Sequence, residues 1–327
     1  MKALQNIIIA NFLLQSGEVC RINLSFQTFG LPIGMAPIVL VNHALTGNSN
    51  VEGEQGWWND VVGENKVIDT KKYTVIAFNI PGNGYDNDVE NLIENYKSFT
   101  TKDIASLFWK GLESLKINEL FAVIGGSLGG AIAWEMAFIK PNAIQNLVPI
   151  ATNWKANDWL IGNVLVQDAI LNNSKNPIHD ARLHAMLLYR TPESLTAKFN
   201  SERNDNQNSY KVESWLLHHG EKLTGRFELS AYKLMNHLLK TIGENTTEID
   251  LQDFAKISPT KIKQITINSD YFFAPNENIK THNLLSNITK KLTYHEINSI
   301  HGHDAFLIEY ERLNNILKTI FNTKHTN

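Results

Sequence analysis

Leu120-Phe121-Ala122-Val123-Ile124-Gly125-Gly126-Ser127-Leu128-Gly129-Gly130 runs from a continuous apolar stretch into a glycine-rich turn with a serine at its apex. Ala131-Ile132-Ala133-Trp134-Glu135-Met136-Ala137 follows at once and reads as helix. The stretch therefore predicts strand, sharp turn and helix. Glycines two before and two after Ser127 let a tight turn form and let neighbouring backbones approach where a Cβ would clash. That geometry lifts the Ser127 hydroxyl above a sheet, beside the backbone N–H of Leu128 and the positive end of a helix dipole. Such a place suits a nucleophile whose attack creates an oxyanion, so the rest of the chain must supply a base and an acid.

With 327 residues the chain has room for one large α/β domain with an insertion, or for two domains. Hydrophobic residues at 43% and charged residues at 19% describe an ordinary globular composition. The formal charge of −3 argues against a general nucleic-acid binder or a binder of anionic membranes, while leaving room for local basic patches. The single Cys20 allows neither an intrachain disulfide nor a thiolate zinc site, which fits a reducing, cytoplasmic setting. Met1–Ile9 is interrupted by Gln5 and Asn6 and reads as a strand, not a signal peptide. No apolar run reaches the roughly 18 residues of a membrane span.

Strands are expected near Ile7–Leu14 and Val19–Phe29, joined by the hairpin signal Gln15-Ser16-Gly17-Glu18. Further strands are expected at Pro37–Val41, Tyr73–Ile80, Leu120–Ile124, Asn146–Ala151, Lys261–Asn268 and Lys291–Ile297. Phe99–Lys116 reads as a helix capped by Thr100 or Thr101, with apolar residues at Ile104, Leu107, Phe108, Leu112 and Leu115. About eight strands, most of them separated by helical patterns, make an α/β architecture with a mostly parallel sheet. Strand signals vanish from residue 151 to 258, where helical, aromatic-rich segments are broken by the polar loop Ser201–Ser209. The expected organisation is a core of residues 1–150 and 259–327 with a helical lid, 151–258, inserted after a sheet strand.

Reactive groups of an open parallel sheet belong at the carboxyl ends of its strands. Asp270 stands at such an end, and Ser299-Ile300-His301-Gly302-His303-Asp304-Ala305-Phe306-Leu307 follows the last strand and leads into the closing helix. An aspartate there is more often a turn residue, and any one of 11 histidines is more often structural. The order Ser127, Asp270, His is nevertheless that of α/β-hydrolase triads, in which a neutral imidazole takes the serine proton and the acid fixes its tautomer. Periodicity leaves His301 and His303 as competing bases. His43-Ala44-Leu45, after the third strand, occupies the place of the second oxyanion donor, so the N–H groups of Leu45 and Leu128 form the expected pair.

Asn42-His43-Ala44-Leu45-Thr46-Gly47, Gly56-Trp57-Trp58, Gly125-Gly126-Ser127-Leu128-Gly129-Gly130 and Gly302-His303-Asp304-Ala305-Phe306-Leu307 together resemble homoserine O-acetyltransferases. The likeness extends into the lid through Ala181-Arg182-Leu183-His184-Ala185-Met186-Leu187-Leu188-Tyr189-Arg190 and Val212-Glu213-Ser214-Trp215. The resemblance implies an α/β-hydrolase fold, an acyl-serine mechanism and a place in methionine biosynthesis. It implies that His303 is the base, and that Arg182, Tyr189 and Asp304 hold the carboxylate and amine of homoserine. It also implies a homodimer joined through the lid. With a serine nucleophile and acetyl-CoA as co-substrate, no metal or bound cofactor is expected. Succinyl-CoA as donor or L-serine as acceptor would be a variant of the same transfer; plain ester hydrolysis would use the same triad, and only acceptor recognition separates it from transfer.

Overall fold

A computed structural model of the chain describes residues 3–204 and 208–321. Residues 1–2 of the opening segment, 205–207 of the polar loop and 322–327 of the second core segment lie outside the described residues. The strands are β1 (Gln5–Leu13), β2 (Val19–Gly30), β3 (Ile38–Asn42), β4 (Val62–Gly63), β5 (Ile68–Asp69), β6 (Thr74–Phe78), β7 (Leu120–Gly126), β8 (Ile144–Ile150), β9 (Lys261–Ile267) and β10 (Leu292–Ile297). Eight of them form one sheet in the order β1-β2-β6-β3-β7-β8-β9-β10, and β4 and β5 form a small separate ladder. Only the β1–β2 and β2–β6 pairings of the large sheet are antiparallel.

The middle strands are covered on both faces, which is why they read as unbroken apolar runs. Every residue of β6 is buried. Successive side chains alternate between two cores. Leu40, Ile76 and Val123 face α1 (Thr101–Ser114) and α2 (Leu128–Ile139), meeting Phe108 and Trp134. Val39, Val41, Ala122 and Ile124 face the opposite layer, where Leu313, Leu317 and Phe321 of α10 (Tyr310–Phe321) close the fold. Thr100 caps α1 through a reciprocal box with Asp103. The chain leaves β3 for β6 on one side and then passes over β3 to β7 on the other. The carboxyl ends of β3 and β7 therefore flank the crevice where the loops diverge.

Six helices lie between β8 and β9: α3 (Asp158–Asn173), α4 (Pro177–Tyr189), α5 (Pro192–Phe199), α6 (Lys211–Thr224), α7 (Leu229–Lys240) and α8 (Glu248–Ile257). The first five pack on one another as an inserted helical unit, where the lid is expected. The last lies back on the sheet's helix layer, with Phe254 edge-on to Trp134 and Phe138 of α2. Parallel β8 and β9 need a helix in their crossover, and α8 supplies it, so the last part of the expected lid segment is structurally core. A second difference follows β10. The residues after His303 form a 3₁₀ turn, Gly302–Leu307, and the closing helix starts only at Tyr310. The tighter turn buries His303, Ala305 and Phe306 together. Helix α9 (Pro275–Ser286) joins β9 to β10. Among the described residues no helix is long and apolar enough to cross a membrane.

The two necks of the lid meet, with Ala156 N–H donating to the Ile242 carbonyl at 3.0 Å. Glu135 of α2 braces them by accepting from Gly243 N–H at 2.9 Å. Its Oε2 is buried with no hydrogen-bond partner among the described residues. Burial pushes this carboxyl up to about 7, although the Gly243 N–H pulls it down. An acid raised in the fold costs nothing below its unfolded value and progressively destabilises the fold as pH climbs towards its folded value. Glu135→Gln is therefore expected to match the parent near pH 4 and to exceed it by about 2–3 kcal/mol at pH 8. Urea unfolding at the two pH values checks this, and an equal difference at both would refute it.

Candidate active site

Ser127 adopts φ 55°, ψ −127° at the start of α2, a region that side chains rarely occupy and that costs on the order of 1–3 kcal/mol. Contacts on both sides hold it there. A Cβ on Gly129 would stand 2.4 Å from the Asn42 carbonyl oxygen and 2.7 Å from that of His43. One on Gly125 would stand 2.5 Å from the Gly129 carbonyl carbon. Only glycine at both positions lets the turn close against the end of β3. Ser127 N–H donates to the Ile150 carbonyl at 2.9 Å, and the Ser127 carbonyl accepts from Gly130 and Ala131 N–H groups, starting the helix.

The base comes from 176 residues away in sequence: His303 Nε2 lies 2.9 Å from Ser127 Oγ. On its other side, His303 Nδ1 lies 2.7 Å from Asp270 Oδ2. Asp270 Oδ1 accepts from the N–H groups of Phe272 (2.7 Å) and Phe273 (2.9 Å). A carboxylate so held is an acceptor only. His303 accordingly carries its proton on Nδ1 and turns the Nε2 lone pair towards the serine hydroxyl. Phe272, Phe273, Phe306 and Tyr189 surround the imidazole, with ring centroids 5.2–5.7 Å away. His301, the competing histidine, faces away. Its Nδ1 accepts from Arg190 at 3.0 Å, and it takes no part in the serine line.

The loop after β3 is tied to the elbow by Asn42 Nδ2, which donates to the Gly129 carbonyl at 3.2 Å. His43 stiffens it from within. Its Nδ1–H donates to the Ala44 carbonyl at 2.8 Å and its Nε2 accepts from Ile80 N–H at 2.9 Å. Complete burial pulls this imidazole down to about 4, so it is neutral and serves as a strut. The brace carries Leu45, which is buried, and α2 begins with Leu128, whose N–H has no intrahelical acceptor.

The lid brings two of the three expected acceptor residues, Arg182 and Tyr189, beside the base. The Arg182 guanidinium lies 5.7 Å from the centroid of the Tyr189 ring, and that ring is 5.5 Å from His303. Asp304 follows the base directly. Burial pushes its carboxyl up against the pull of Arg182, His303 and Arg190. Burial likewise raises Tyr189 to about 12, with Arg182 drawing it down and Asp304 adding to the rise. Tyr189 and Asp304 are half-buried.

Two further residues belong to this wall. Tyr232 of α7 is buried, its hydroxyl has no hydrogen-bond partner among the described residues, and its electrostatic neighbours are Tyr189 and Arg182. Arg226, between α6 and α7, donates to the Thr46 carbonyl at 3.2 Å, next to Leu45. Neither stands at a strand end, so a search of strand ends passes over both.

Residues 37–295 match the α/β-hydrolase fold family. Over 94% of its length the chain is 32% identical to a homoserine O-acetyltransferase of Cyclobacterium marinum, of which it covers 92%. The chain belongs to the homoserine O-acetyltransferase family. Its fold matches the crystal structure of homoserine O-acetyltransferase from Bacillus anthracis at a TM-score of 0.86, with 18% identity over 100% of this chain and 99% of that one. It also matches esterase E22 at a TM-score of 0.86, with 16% identity over 98% of this chain and 100% of that one. An acetyltransferase of this family and an esterase thus share one backbone, and side chains around the crevice must separate their chemistries.

Asp270→Asn keeps the shape of the line but lets His303 Nδ1 become an acceptor, leaving Nε2 protonated and useless as a base. The expected loss in kcat is about 10³–10⁴-fold with the fold intact, measured by steady-state turnover and circular dichroism. A loss under tenfold would remove Asp270 from the mechanism.

Proposed function

We infer that the protein moves an acetyl group from acetyl-CoA to the hydroxyl of L-homoserine through an acyl-serine intermediate, a reaction of methionine biosynthesis. Ser127 Oγ attacks the thioester carbonyl while His303 Nε2 takes its proton. The N–H groups of Leu45 and Leu128 receive the oxyanion, a contribution of several kcal/mol when such donors are well aimed. The tetrahedral adduct collapses, CoA sulfur leaves with the proton from His303, and Ser127 is acetylated. Homoserine then gives its hydroxyl proton to His303 and attacks the ester. O-acetylhomoserine departs, and the imidazolium returns its proton to Ser127.

The observation that carries this reading over ester hydrolysis is the set Arg182, Tyr189 and Asp304 beside the base. A guanidinium suits a carboxylate and an acid suits an ammonium, so an amino acid is the natural occupant. Such an occupant outcompetes water by effective concentration in a crevice that the lid narrows. Serine supplies the nucleophile and CoA is consumed as a substrate, so the scheme needs no bound cofactor or metal. The lone Cys20 is in keeping with a cytoplasmic setting.

Brief mixing with acetyl-CoA is expected to add one acetyl group to the protein by mass spectrometry, and L-homoserine is expected to discharge it as O-acetylhomoserine. Ser127→Ala should fold and show no adduct. An adduct lost to water equally fast with and without homoserine would make the protein a hydrolase. Acylation only by succinyl-CoA, or discharge only by L-serine, would change the substrate and keep the mechanism.

A homodimer through the lid completes the reading. Helix α4 packs on both α3 and α6, and the three expose Ile161, Leu165, Val166, Leu187 and Leu217, with Leu165 69% exposed. An apolar surface of this kind is what a subunit interface covers. Sedimentation should give twice the chain mass, and Leu165→Asp should shift it towards the monomer. A monomeric parent would refute the dimer.

A further inference from the structure

The chain is weakly acidic as a whole, yet the lid wall beside the crevice is cationic. Lys198 lies on α5, His218, His219 and Lys222 on α6, and Arg226 just beyond α6. The Lys198 ammonium is 5.1 Å from the Trp215 ring, Trp215 is 4.5 Å from His219, and His219 is 6.0 Å from His218. Among the described residues, none of these groups forms an ion pair with a carboxylate. Glu221, the acid next to Lys222 in sequence, is exposed and makes no such pair. Burial, then Arg182, His218, Lys222 and Lys198, all push the His219 imidazole down, to about 4, so it stands neutral among cations.

Two arginines connect the cluster to the reaction site. Arg182 neighbours His219 electrostatically on one side and Tyr189 on the other. Arg226 is fastened to Thr46, one residue from the oxyanion donor Leu45. Cations gathered without counter-ions repel one another and attract a polyanion. CoA is such a polyanion: its phosphates sit on a nucleotide, at the far end of a long neutral arm from the thioester. Arg182, Tyr189 and Asp304 are matched to the acceptor. That leaves the outer cations free for the donor.

We propose that Lys198, Lys222 and Arg226, with His218 and His219 as hydrogen-bonding partners, cradle the phosphates of the CoA donor, so that the pantetheine arm runs past Arg182 to Ser127. The proposal rests on the acyl-transfer reading above. It makes the outer lid a recognition element for the half of the donor that does not react, so binding energy gathered there holds the thioester at the serine.

The test compares acetyl-CoA with S-acetylpantetheine, which has the same thioester and arm but no phosphates. Their kcat/KM values are measured for the parent and for the charge-reversed pair Lys198→Glu and Lys222→Glu, both exposed positions. The ratio of acetyl-CoA to S-acetylpantetheine is expected to fall about tenfold or more in the double variant. Added salt should lower that ratio in the parent and barely alter it in the variant. A ratio that the substitutions leave unchanged, or a parent that uses both donors equally well, overturns the cradle and leaves acyl transfer standing. Failure of the parent to be acylated by acetyl-CoA, S-acetylpantetheine or succinyl-CoA overturns the acyl-transfer reading, and the cradle with it.

Discussion

The contact on which the site depends is that of Gly129 with the Asn42 and His43 carbonyls, where β3 ends. Ser127 can hold its strained backbone only if the following helix starts hard against the neighbouring strand, and the Asn42 and His43 oxygens leave no room for a side chain there. The same closeness sets the chemistry. It holds the loop that leads to Leu45 against the start of α2, where Ser127 and Leu128 stand. The His43 strut and the Asn42 amide keep that loop from drifting. Backbone strain at the serine is thus offset by packing several residues away, as is common where a turn must present a reactive group.

The base is held from the opposite side, and partly by the lid. Gly302 has φ 66°, and a Cβ there would come within 2.8 Å of the Tyr189 carbonyl oxygen. Thr191 Oγ1 donates to the Ile300 carbonyl, and Arg190 reaches His301. The corner between α4 and α5 and the histidine loop therefore pack as one body. Tyr189 belongs to both, as a wall of the aromatic box around His303 and as part of the acceptor site. A lid that carried acceptor recognition alone would need no such contact. Here the element proposed to recognise the acceptor also packs against the base, so movement in one would disturb the other.

The likeness to an esterase backbone shows how little of the choice between transfer and hydrolysis lies in the fold. The triad activates water and an alcohol equally. On the proposed reading, what favours the alcohol is a crevice whose charges fit an amino acid and whose walls exclude bulk solvent. Arg182 and Asp304 place opposite charges beside Tyr189, and Tyr232 is buried next to them.

Much of the fold was legible in the residues themselves. Buried central strands read as apolar runs, Thr100 lay where a capping residue was expected, and the glycine spacing around Ser127 announced the elbow. These are local properties, set by side-chain periodicity and by the φ and ψ angles a residue can adopt. The order of serine, aspartate and histidine was legible too, because strand ends mark where reactive groups collect. Other features were settled only when distant elements packed. His301 and His303 are two residues apart, and nothing local tells which one faces a serine 176 residues earlier; the 3₁₀ turn and Gly302 decide it. Whether α8 is lid or core depends on Trp134 and Phe138 receiving Phe254. Tyr232 and Arg226 enter the site through the lid's fold over the sheet, with no motif to mark them. Sequence by itself determined the elements and the kinds of chemistry available, since both follow from neighbouring residues. Tertiary structure alone decided which groups meet, since that depends on how the packed layers are stacked.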